Sequence, residues 1–148
     1  LHAALEVRPP GLYGSPAIYK NSSKTNNKSR SAATVTLVYK ICPAPAWRGA
    51  ERRGTFAGSP DDVRDGFIHF STALQIEGTL ARHFAGQADL FLIAVVAETL
   101  GDALKWEPSR GGDLFPHLYD NLDPHAAHSV TALTLRDDGS HIVPEFEP

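Results

Sequence analysis

The sequence predicts an α+β fold, a mixed and mainly antiparallel sheet with a few flanking helices. Three observations carry this. TVTLVYKI (34–41) and DLFLIAVVA (89–97) are apolar, β-branched runs of strand length. GFIHFS (66–71) alternates and then runs into a helical pattern with its own cap. HSVTALTL (128–135) alternates again ahead of the turn signal DDGS. No internal repeat and no second domain boundary interrupts them.

Taken in order, 34–41 is the first strand, and Pro43 opens a short helix through Trp47 and Ala50 that Gly54 stops. AGSPDDVRDG (57–66) reads as a loop of turn formers, with Asp61, Asp62 and Asp65 as solvated surface acids. In the second strand, Phe67, His69 and Ser71 share one face and Ile68 and Phe70 the other. Thr72 caps the next helix with Gln75 three residues on; Ala73, Ile76, Leu80 and Phe84 form its apolar stripe, and Gly86 ends it. The run 89–97 is apolar almost throughout, so it reads as a central strand covered on both faces. LKWE (104–107) is a brief edge strand, PSRGGD a loop, FPHLYDNL irregular, and HIVPEF a last strand interrupted by Pro144.

Residues 1–34 read differently. Arg8, Lys20, Lys24, Lys28 and Arg30 face only Glu6, in a polar, low-complexity stretch too poor in large apolar side chains to order itself. The expectation is a disordered or non-native basic extension, with one globular domain over 35–148. The chain begins with Leu1 and contains no methionine, which suggests a start near Val35 or Leu37. The net charge of −3 leaves the rest of the chain acidic, and an acidic body disfavours broad phosphate-backbone binding. RNA as a partner therefore rests on the basic extension alone. The single cysteine, Cys42, reads as a buried thiol and suits a reducing cytoplasm. No apolar run reaches membrane-spanning length, and no signal-peptide pattern opens the chain.

Two stretches carry candidate chemistry. His69 and Ser71 leave the second strand beside Thr72 at a helix start, where backbone N–H groups attract anions. KWEPSRGGDLFPHLY (105–119) gathers Trp106, Glu107, Arg110, His117 and Tyr119: a carboxylate, a guanidinium beside two glycines, and flat rings suited to a nucleotide. Capping alone also explains Thr72, and core packing also explains Trp106. His125 and His128 lack zinc-site company, so no metal is expected. No GxSxG elbow, phosphate loop or dinucleotide fingerprint is present.

From Val38 onward the combination VYKI, GFIHFST, RHFAG and LKWEPSRGGDLFPHLY closely resembles the bacterial uncharacterised-domain family 952, a domain of unknown function. That family is remotely similar to the ADP-ribosyltransferase-like group. The HFS step resembles the histidine–apolar–serine step of its RNA 2′-phosphotransferases. The resemblance implies an ADP-ribosyltransferase-like fold and a nucleotide cleft for NAD. It further implies an NAD-linked ADP-ribosyl or phosphotransferase-like activity. Catalysis would fall to His69 and Glu107, with Ser71, Thr72, Trp106, Arg110, His117 and Tyr119 holding the ligand. Where those enzymes carry a first-strand histidine or arginine, this chain has Tyr39, Lys40 and Ile41. The alternative is a non-catalytic module that binds a nucleotide or small metabolite in the same cleft.

Overall fold

Apolar side chains at nearly every position of LVYKICP drive strand β1 (Leu37–Pro43) into the interior, where its five central residues are buried. The structure, a computed structural model, describes residues 35–145. The extension expected over 1–34 lies outside them. Proline in the first turn starts helix α1 (Ala44–Arg53), and Gly54 ends it in the left-handed conformation, as expected.

The stretch expected to be a loop contains a helix, α2 (Pro60–Asp65). Ser59 and Asp62 form a reciprocal capping box: the Ser59 N–H donates to Asp62 Oδ2 at 2.8 Å, and the Asp62 N–H to Ser59 Oγ at 3.4 Å. Strand β2 is shorter than expected, Ile68–His69 only. The helix that follows begins as a 3₁₀ turn, Ala73–Gln75, and continues as α3 (Ile76–His83). It ends three residues before Gly86. Ile76 and Leu80 are buried as expected, whereas Ala73 is exposed.

The strands β3 (Leu90–Val96), β4 (Leu104–Pro108), β5 (Leu114–Leu118), β6 (Ala127–Leu135) and β7 (His141–Ile142) follow among the described residues. Every pairing among the described residues is antiparallel. They form two sheets rather than one, ordered β1-β3-β6-β7 and β2-β5-β4. The apolar run at β3 is central, between β1 and β6, as its composition demands. The segment expected to be irregular holds β5, which is the middle strand of the small sheet.

The sheets meet at one short crossing. Ile68 and His69 pair with Leu118 and His117, and the Phe70 N–H donates to the Pro116 carbonyl at 2.9 Å. Two residues after His69, Ser71 and Tyr39 exchange both backbone hydrogen bonds at 2.8 Å. The chain thus leaves β5 and joins β1 within four residues. Trp47, Phe56, Ile68, Phe70, Leu118 and Leu122 pack with Val38, Ile93 and Val95 into one core cluster. Tyr39, Ile41, Leu80 and Leu92 belong to a second.

Candidate functional site

The crossing between the sheets opens a cleft of about 300 Å³, at the small end of ligand sites. β1 contributes Lys40, α2 contributes Asp62 and Asp65, and the crossing contributes His69 and Ser71. Thr79 of α3, Arg110 and His117 of β5 close the other side.

Asp62 is the anchor. Its carboxylate is 1% exposed and takes four hydrogen bonds. Lys40 Nζ donates to Oδ2 at 2.7 Å together with the Ser59 N–H; the His69 N–H and His69 Nδ1 reach Oδ1 at 3.1 and 2.6 Å. Burial alone would raise its pKa. The His69 hydrogen bond, the Lys40 charge and the other donors outweigh that, so the carboxyl is held well below the usual carboxylate range. Gly58 permits this seat: its φ is +108°, and a Cβ there would lie 2.6 Å from Asp62 Cβ. His69 is held from its other side as well, with Nε2 at 3.0 Å from Asp65 Oδ2.

Opposite lies Arg110, whose guanidinium stands 4.8 Å above the Phe115 ring and reaches Thr79 Oγ1 at 3.4 Å. Thr79 Oγ1 also meets Ser71 Oγ at 2.9 Å. Arg110 rests on α3 where the helix has no side chain: a Cβ at Gly78 would sit 3.2 Å from Nη2. Glycine inside a helix costs about 1 kcal/mol relative to alanine, and this close approach supplies its reason. Gly78→Ala is therefore expected to leave Tm unchanged or raise it while displacing the Arg110 guanidinium from α3. Thermal melts beside a crystal structure of the variant check both halves.

The candidate residues divide. His69, Ser71, Arg110 and His117 come together in the cleft. Thr72 is at the helix start, its N–H donating to Gln75 Oε1 at 3.0 Å, and does not line the cleft. Trp106 pairs with Pro116 and so stands on the sheet face opposite His117. Glu107 and Tyr119 lie behind the wall: Glu107 Oε1 accepts from His117 Nδ1 at 2.7 Å and from the Tyr119 hydroxyl at 2.8 Å. These bonds, His117 first, hold the Glu107 carboxyl below its usual range and raise the Tyr119 phenol. Cys42 is a buried thiol, pushed up to about 12 by burial. Among the described residues no group of three or more His, Cys, Asp or Glu is arranged to hold a metal ion, and no helix is long and apolar enough to cross a membrane.

Lys40, Asp62, Asp65 and Thr79 are absent from the sequence-based candidates. A lysine inside the apolar run VYKI was the available signal, since a charge there needs a partner. Asp62 is not the solvated surface acid expected from its turn-like context. Ser59, Pro60 and Asp62 spell a cap, a first-turn proline and an N3 acid, and the helix they start turns Asp62 inward.

The family model "Protein of unknown function (DUF952)" matches residues 41–130. The chain belongs to this family. A crystal structure of protein CC0527 from Caulobacter crescentus is 48% identical, with a TM-score of 0.71 over 72% of this chain and 94% of that one. The solution NMR structure of CC0527 is likewise 48% identical, with a TM-score of 0.64 over 70% and 90%. No curated protein matches. The DUF952 chain and its Caulobacter relative thus share a fold whose function neither description states.

Proposed function

We propose that the cleft of this DUF952 protein binds the phosphate-bearing part of a nucleotide, and that the ligand is NAD. The activity is then an ADP-ribosyl or phosphotransferase-like transfer. One observation carries this. Lys40 pairs with Asp62, Arg64 with Asp61 and Asp65, and Asp65 with His69. Arg110 is left as the cation lining the cleft that has no carboxylate partner among the described residues. It is half-buried, beside two hydroxyls and an aromatic ring, a combination suited to a phosphate and its adjoining sugar. Exposed at the rim, His83 is held below the usual imidazole range, by desolvation first and then by the Arg110 charge, so the neutral ring is favoured beside that guanidinium. A cleft of this size takes part of a dinucleotide and leaves the rest outside. The resemblance of the HFS step to the 2′-phosphotransferases supports the same ligand class.

Arg110→Ala is expected to remove a charge-assisted contact of about 1.5–3 kcal/mol, weakening NAD and ADP-ribose about ten- to a hundredfold in calorimetric titration. Equal affinity in wild type and variant, or no binding by either, overturns the proposal. A second reading, a binding module without chemistry, is favoured by Glu107 standing outside the cleft wall. Release of nicotinamide from NAD separates the two.

A further inference from the structure

We propose that His117 is the proton acceptor of this cleft and that Glu107 acts on it as a positioning residue, an assignment that rests on the transfer reading above. The family resemblance implies catalysis at Glu107 and His69 and a binding role for His117. The geometry redistributes those parts.

Glu107 receives two hydrogen bonds on one oxygen, from His117 Nδ1 and from the Tyr119 hydroxyl. An ionised carboxylate can only accept, so His117 Nδ1 must be the donor. In the neutral ring the lone pair then belongs to Nε2. Nothing else among the described residues bonds to that nitrogen, although the side chain is only 6% exposed and the ring lines the cleft. A buried acceptor without a partner is costly, and a group of this kind marks a site that a ligand completes. The ring is also fixed in direction. Phe67 stacks on it at 4.1 Å between centroids, and the His69 ring meets it at 70° and 5.5 Å.

His69 is the poorer acceptor, because both its nitrogens already face carboxylates, Nδ1 on Asp62 and Nε2 on Asp65. In the transfer, an acceptor hydroxyl (water or an alcohol) forms a bond from its oxygen to the anomeric carbon of the ribose that bears nicotinamide. The bond from that carbon to the nicotinamide nitrogen breaks, and its electron pair leaves with nicotinamide. The hydroxyl proton passes to His117 Nε2 and from there to solvent. Atoms and charge balance with one proton released per turnover.

The test joins ring nitrogen NMR with kinetics. In ¹⁵N-histidine-labelled wild type, the neutral His117 ring should show a protonated Nδ1 and a bare Nε2. Glu107→Gln should disturb that tautomer, lower kcat for nicotinamide release at least tenfold, and leave the Kd for ADP-ribose within about twofold. His117→Ala should lose about 10²–10⁴-fold in kcat and regain part of it with added imidazole, which a purely structural role would not allow. A proton found on Nε2, full activity in His117→Ala, or a folded His117→Ala that imidazole does not rescue overturns the assignment while leaving the transferase reading intact. A wild type with the expected tautomer but no nicotinamide release overturns the transfer reading, and the proton-acceptor role with it.

Discussion

Asp62→Asn is expected to destabilise the protein by about 3–5 kcal/mol at neutral pH, the usual cost of removing one partner from a buried ion pair. For a chain of this size that is a fall in Tm of roughly 10 °C or more. The substitution preserves shape, so the loss is one of charge and acceptors. Each Asp62 oxygen takes two donors: Lys40 and the Ser59 N–H on Oδ2, the His69 N–H and ring on Oδ1. An amide offers one oxygen, so its NH₂ must face at least one backbone N–H that also donates, Ser59 on one side or His69 on the other. Lys40, itself 5% exposed, is left without a counter-charge.

The pH dependence gives a second handle. The Asp62 carboxyl titrates below its unfolded value of about 3.9, because His69 and Lys40 favour the charged form more than burial opposes it. A depressed folded pKa means the contribution is complete above the unfolded pKa and is lost as pH falls through the folded one. The wild type should therefore shed this stabilisation as the pH drops below about 4, and the gap to Asp62→Asn should narrow there. Denaturant midpoints measured from pH 7 down to pH 3 check it. A gap that stays constant would show that the loss does not come from the ionised carboxylate.

This cluster also marks where sequence reasoning stopped. Patterns that depend on neighbours along the chain were legible: the central strand at 90–96, the cap at Thr72 and Gln75, and the shared face of Phe67, His69 and Ser71. Long-range pairing was not. Nothing within the segment 114–118 reveals a middle strand, because its proline and histidine take their places only when β2 and β4 lie on either side. The same holds for charge. Lys40 and Asp62 are 22 residues apart, and each looks like a local oddity until the fold joins them. Glu107 and His117 were both visible as chemistry, yet that they meet depends on the register of β4 on β5, which pairs Lys105 with His117 and Glu107 with Phe115 and so makes Glu107 and His117 diagonal neighbours on one face.

Trp47→Ala should cost about as much, 3–5 kcal/mol, by a different route. Trp47 is fully buried on α1, with its ring 5.5 Å from that of Phe56 and its indole N–H donating to Glu51 at 3.1 Å. Removing it opens a cavity between α1 and the face of β1 and β3 that carries Val38, Ile93 and Val95. No charge is unpaired by the change, so the loss relative to wild type should be the same at pH 7 and pH 3. Trp47 does not line the cleft, so at temperatures where the variant is folded its affinity for ADP-ribose should stay within about twofold of wild type. The two lesions are thus alike in size and opposite in signature: one eases in acid and alters the cleft, the other does neither. Acid curves that run parallel for both variants would mean that the loss in Asp62→Asn does not come from the ionised carboxylate, and that its pairing with Lys40 and His69 is not what stabilises this fold.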